Sequence, residues 1–198
     1  MRGLQGKRVL ISGGSSGIGL ATARRFLEEG SRVFLTGLDP REVDGALAGL
    51  RPGGEVDGLA CDVSLEADVA RMMAAALRAF SGIDVLINNA GTARREAFLA
   101  ITAGDWDRII AVNLRGMFLV AQTVSRHMVE RGGGGVIINM SSTNGLAGEE
   151  DYAQERIPLG RAGQPEEVAA AYAFLASGDA SFIHGAALVI DGGQLAVM

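Results

Sequence analysis

The chain is poor in several residue types at once. Cysteine occurs once, at Cys61, so no internal disulfide can form and a reducing compartment suits it. Aromatic residues make up only 5% of 198 positions, although hydrophobic residues reach 48%. The core must then be built from Ala, Val, Leu and Ile, which parallel strands buried on both faces prefer. Lysine also occurs once, at Lys7; the other basic residues are arginines, and no run of them offsets a net charge of −5. That balance argues against a nucleic-acid-binding surface. No apolar stretch approaches the ~20 residues of a membrane span. A strand begins so early that no room is left for a signal peptide, and a cytoplasmic protein is the expectation.

What is present is an alternation of strand and helix. Apolar runs at 9–11, 32–36, 55–61, 83–87 and 136–140 read as strands. Between them lie helical stretches at 17–29, from Pro40 onward, 65–80, 104–113, 116–131 and 166–176, the 104–131 pair being readable as one element. Gly30 and Gly82 are stop signals, and Pro165 opens the last helix with acids beside its positive end. Such alternation gives right-handed βαβ units, hence a doubly wound parallel sheet with helices on both faces. The length suits a single domain over 1–198. A final strand is expected at 186–190, and a short helix is possible before Pro158.

Residues 12–19 read Ser-Gly-Gly-Ser-Ser-Gly-Ile-Gly between the first strand and the first helix. A nucleotide's phosphates need this order. Gly13 can take the tight turn, Gly17 lets backbone approach a pyrophosphate, and Gly19 permits close helix–strand packing. The first-turn N–H groups then face the anion. The alternative is a flexible loop. His127 and His184 have no ligand neighbour at metal-binding spacing, so no metal site is expected. Cys61 reads as strand packing, and Trp106 and Tyr172 as residues of amphipathic helices.

Six segments resemble the short-chain dehydrogenase/reductase family: Ser12-Gly13-x-x-x-Gly17-Ile18-Gly19, Asp62-Val63, Asn88-Asn89-Ala90-Gly91, Val112-Asn113, Asn139-Met140-Ser141-Ser142 and Gly185-x-x-Leu188-x-Ile190-Asp191-Gly192-Gly193. They stand in the family's order across nearly the whole chain. The resemblance implies a Rossmann-type domain that binds NAD or NADP, a small alcohol or carbonyl substrate, and a possible homo-oligomer. Gly13, Ser15, Ser16, Gly17, Ile18 and Gly19 would hold the phosphates. Asp62 would accept from the adenine amino group with the Val63 backbone beside the ring, although helix N-capping would explain Asp62 as well. Asn89, Ala90, Gly91 and Val112 would line the ribose and nicotinamide side. Ser16 and Leu38 stand where NADP users often place a cation, and Gly37 where NAD users often place an acid. With no phosphate-pairing cation in view, and Asp39 repelling a 2′-phosphate if it points inward, the balance favours NAD.

For catalysis the resemblance implies Asn113 in a water relay and Ser142 bonding the substrate oxygen. As plain structure, these would be a helix residue satisfying a local carbonyl and a turn residue bonding its own backbone. The family's Tyr-x-x-x-Lys pair cannot exist here, because Lys7 precedes both tyrosines. Tyr152 is the fallback proton donor, though it lies closer to Ser142 than the family's tyrosine does. Arg156 follows four residues later, but its planar fork is a poor substitute for a compact ammonium. Unassisted, a tyrosine of pKa ~10 is only about one part in a thousand ionised at neutral pH. The simplest account is a deletion with its junction near 153–154, removing the motif's helix and the sixth strand. Strand 186–190 is then expected to slide next to 136–140. Three readings stay open: an NAD(P)-dependent oxidoreductase, a catalytically dead or crippled nucleotide-binding module, or an incomplete stretch of a longer sequence.

Overall fold

A computed structural model of the chain describes residues 1–94, 96–142 and 157–197. Strands β1 (Arg8–Ser12), β2 (Arg32–Gly37), β3 (Val56–Ala60), β4 (Val85–Asn88) and β5 (Val136–Asn139) form one parallel sheet in the order β3-β2-β1-β4-β5. Helix α1 (Gly17–Glu28) connects β1 to β2, α2 (Pro40–Leu50) β2 to β3, and α3 (Glu66–Phe80) β3 to β4. Between β4 and β5 run α4 (Ala103–Ile110), a π-helical segment (Ala111–Gly116) and α5 (Met117–Arg131) without a break; α6 (Pro165–Ala176) follows β5. This is the doubly wound, Rossmann-type architecture expected.

The inner strands β1, β2 and β4 are apolar on both faces because both are covered. From β1, Val9 and Ile11 point into a core shared with Phe26, Leu47, Tyr172 and Ala173 of α1, α2 and α6. Leu10 points the other way, to Met72 of α3 and Val120 and Val124 of α5. Helix ends follow local chemistry. Asp39 caps α2 by accepting from the Arg41 N–H at 2.8 Å, ahead of Pro40. Thr102 and Asp105 form a capping box on α4, as Gln164 and Glu167 do on α6. The left-handed residue that stops α3 is Ser81, at φ 59°, and not Gly82, whose missing Cβ makes room for the Arg8 guanidinium.

At the amino ends of the strands, Asp84 gathers four hydrogen bonds. It accepts from Arg8 N (3.0 Å), Nε (2.8 Å) and Nη2 (2.7 Å), and from Arg131 Nη1 (2.7 Å). Bonding to Arg8 and Arg131 outweighs burial and holds the carboxyl far below the usual carboxylate range.

The final strand is a correction. Residues 186–190 pair with no strand, and Leu188, Val189 and Ile190 are exposed. Among the described residues β5 is therefore an outer strand. The tail is anchored elsewhere: Leu159 N–H donates to the Gly192 carbonyl at 3.3 Å, and Gly192 and Gly193 pack on Ile157 and Pro158. Trp106 is a second difference. It is 61% exposed on α4, which buries none of its residues.

Candidate functional site: a cleft at the strand carboxyl ends

In-register pairing puts Ser12, Asn88 and Asn139 side by side at the carboxyl ends of β1, β4 and β5. The strand order reverses at β1, between β2 and β4. A cleft of about 310 Å³ opens at this point.

The loop after β1 forms its floor. Gly13 turns at φ 67°, and a Cβ there would lie 2.7 Å from Ala90 Cα. The Gly14 N–H donates to the Thr36 carbonyl at 2.6 Å, tying the loop to β2. Ser12, which is buried, accepts at Oγ from the N–H groups of Asn89 and Ala90, both at 3.2 Å. Asn89 Nδ2 in turn donates to the Gly13 carbonyl at 2.9 Å. The loops after β1 and β4 are thus one bonded unit. Ser16 is the N-cap of α1 but makes no side-chain cap bond, and the first turn carries no acid. The opening N–H groups therefore keep capacity for an anion.

Of the residues singled out from the sequence, Gly13, Ser15, Ser16, Asp62 and Val63 line the cleft, as do Asn89, Ala90, Gly91 and Val112. Gly17, Ile18 and Gly19 stand just outside that lining. Gly17 is exposed, and a Cβ on it would meet no heavy atom within 4 Å. Ile18 packs against the core, and Gly19 lies under the turn, where a Cβ would strike the Gly13 carbonyl.

Asp62 lines the cleft and closes a turn onto Ser64; the helix N-cap is Leu65, so Asp62 does not cap α3. Its Oδ1 accepts from Ser64 N (3.0 Å) and Oγ (2.6 Å), and its Oδ2 from Arg108 Nη1 at 2.9 Å. Burial would raise its pKa; the bonds from Ser64 and Arg108 outweigh burial and lower it. Cys61 also faces the cleft, and burial, reinforced by the Asp68 and Asp62 carboxylates, pushes its thiol up to about 12. It is inert packing at neutral pH.

Asn113 sits within the π segment, where the widened turn aims it at the loop after β4. Its Oδ1 accepts from the Thr92 N–H and its Nδ2 donates to the Thr92 carbonyl, both at 2.8 Å. Single π turns inside α-helices recur at functional sites. Ser142 is exposed at the end of the β5 segment, which is held to β4 by Met140 N–H donating to the Asn88 carbonyl at 2.8 Å. Tyr152, Arg156 and the 153–154 junction lie outside the described residues.

Three contributors were not singled out beforehand. Ser12 was read only as part of a glycine motif, although it is the joint between two loops. Arg108 and Glu42 belong to none of the motifs in the sequence, yet both line the cleft. For Arg108, its spacing from Asn113 offered no signal, because its partner Asp62 is 46 positions away.

Strand order and a glycine-floored cleft at the strand carboxyl ends define a Rossmann-type fold. Residues 7–154 match the short chain dehydrogenase family, and residues 147–194 match the family described as enoyl-(acyl carrier protein) reductase. The chain belongs to the short-chain dehydrogenase/reductase family of oxidoreductases.

It is similar to the D-threitol dehydrogenase of Mycolicibacterium smegmatis, at 34% identity over 244 aligned positions covering 96% of this chain and 93% of that protein. It is 35% identical to the meso-2,3-butanediol dehydrogenase of Serratia marcescens, covering 96% and 95%. Among solved structures, levodione reductase superposes with a TM-score of 0.89 at 27% identity, covering 98% of this chain and 99% of that one. A short-chain type dehydrogenase/reductase from Mycobacterium marinum gives 0.89 at 29% identity, covering 96% of each. The first alignment is longer than this chain's 198 residues, so that relative has stretches with no counterpart here.

Proposed function

We propose that this chain binds NAD or NADP in the cleft and is built for hydride exchange with a small alcohol or carbonyl compound. The observation that carries the reading is the fit of the cradle: an α1 N-terminus with no cap bond and no acid, next to a Gly17 with open space where a Cβ would stand. Gly13, Ser15, Ser16 and Gly17 would hold the pyrophosphate, Asp62 and Val63 the adenine, and Asn89, Ala90, Gly91 and Val112 the nicotinamide half. When bound, the cofactor supplies or accepts the hydride. Ser142 donates a hydrogen bond to the substrate oxygen, Asn113 orders the loop after β4 and its water, and Tyr152 is the fallback proton donor. NAD is favoured over NADP, because Ser16 and Leu38 offer a 2′-phosphate no cation. The relatives named for threitol and butanediol favour a small diol or its ketone. A cytoplasmic location and self-association remain parts of this proposal; among the described residues no helix is long and apolar enough to cross a membrane.

A second reading has its own observation. With Lys7 the only lysine and ahead of both tyrosines, the chain has no Tyr-x-x-x-Lys pair, so it would be a cofactor cradle with crippled proton transfer. An internal deletion near 153–154 would produce it, and the two family matches overlap there, at 147–154. Intact mass of the expressed protein, NADH titration and turnover on a panel of small diols and ketones separate these readings. Turnover in the ordinary range of roughly 1–1000 per second refutes the crippled reading. If Tyr152→Phe leaves that rate unchanged, Tyr152 is not the donor. A chain that binds no dinucleotide refutes both.

A further inference from the structure

The cleft wall built by the end of β2 offers Gly37 and Leu38, whose side chains cannot bond a ribose hydroxyl. Position 37 is closed to an acid. A Cβ there would overlap the Ser15 hydroxyl and lie 2.8 Å from Ser15 Cβ and 3.0 Å from Val43 Cγ2. Asp39, the nearest acid in sequence, has its carboxylate engaged in capping α2 and does not line the cleft. Glu42 does. From the first turn of α2 it reaches the wall, with Oε2 at 3.4 Å from Ser15 Oγ. The charged side chains in the lining are Glu42, Asp62 and Arg108, and Arg108 is engaged by Asp62 at 2.9 Å. Among the described lining residues, the charge left uncompensated on the β2 side of the cleft is that of Glu42.

We propose that Glu42 is the group that reads the adenosine ribose, accepting from its hydroxyls and repelling a 2′-phosphate. It rests on the dinucleotide reading above and deepens it to NAD(H) in preference to NADP(H). A doubly charged phosphate brought against a carboxylate is repelled strongly where the wall limits screening, whereas a ribose hydroxyl is a donor that a carboxylate accepts. Among the described residues, Arg41 is the cation on the outer surface it shares with Leu38, Asp39, Pro40 and Glu42. It is therefore the control.

The test is the ratio of dissociation constants for NADH and NADPH, read from nicotinamide fluorescence in the full chain, with AMP and 2′-phospho-AMP as competitors. Wild type is expected to prefer NADH by roughly 10-fold or more, and Glu42→Gln to shrink that ratio by about 10-fold, mainly by tightening NADPH. Arg41→Ala is expected to leave the ratio within about 3-fold of wild type. Because Glu42 is exposed, the Glu42→Gln variant should melt with wild type. Tighter binding of NADPH to wild type overturns the proposal, as does a ratio that Glu42→Gln leaves unchanged. A chain that binds neither dinucleotide fails at the cradle itself, a result distinct from failure at Glu42.

Discussion

Gly13→Ala and Gly17→Ala should fail in different ways, although both glycines have left-handed backbone, at φ 67° and 51°. An alanine held there costs ~1–2 kcal/mol in either case. At Gly13 the new methyl would also sit 2.7 Å from Ala90 Cα and 3.0 Å from Ala90 N. That neighbour is backbone, pinned by Ser12 Oγ, and cannot swing aside; forced repacking adds ~1–3 kcal/mol. The total, ~2–5 kcal/mol, is a large part of a stability of ~5–15 kcal/mol. It should lower Tm by roughly 4–20 °C for a chain of this size. At Gly17 the methyl meets nothing within 4 Å, so only the backbone cost remains and Tm should fall by roughly 2–8 °C. The same methyl occupies space needed by the pyrophosphate, and NADH affinity should drop about 10-fold or more. Urea unfolding and NADH titration of both variants decide the matter. Equal destabilisation by the two substitutions would refute the packing argument. Unchanged NADH affinity in Gly17→Ala would refute the cradle.

Asp84→Asn should cost about 2–4 kcal/mol at pH 7, since Arg8 and Arg131 lose a well-bonded counter-charge. With the folded carboxyl held far below its unfolded pKa of ~3.9, the stabilisation is full above that value and drains away as pH falls beneath it. A gap between wild type and variant that persists undiminished from about pH 7 to pH 3 would contradict this. Asn113→Ala should release both backbone groups of Thr92, at a cost of about 1–2 kcal/mol, and speed hydrogen exchange at the Thr92 amide. Unaltered exchange there would show that the helix does not hold the loop.

Much of the sheet was legible because parallel strands buried on both faces leave unbroken apolar runs, and 9–11 and 85–87 are of that kind. Ala186–Leu188 and Val189–Ile190 have the same chemistry, yet no strand forms. A strand needs a free edge within reach, and the tie between Leu159 and Gly192 settles where the tail lies. No local pattern announces that. The cleft residues of the glycine loop, Asp62-Val63 and Asn89-Ala90-Gly91 were legible because turns at strand ends demand particular residue types. Arg108 and Glu42 were not, because a charge on a helix surface looks the same in sequence whether it faces solvent or a cleft. The π segment was equally hidden: 104–113 and 116–131 read as two helical stretches or one, whereas the structure joins them through a wide turn that puts α4 and α5 out of phase.

That phase difference has a mechanical meaning. One residue inserted into a helix rotates everything beyond it by about 100°. The wide turn at Ala111–Gly116 therefore works as an angular offset between two ends of one rod: α5 presents Val120 and Val124 to the sheet, while α4 carries Arg108 round to the cleft. A straight α-helix could not aim both ends correctly. Removing a single residue from the segment would turn Arg108 away from Asp62 while leaving the α5 packing in register, so the rim of the cleft is set by a gear of one tooth.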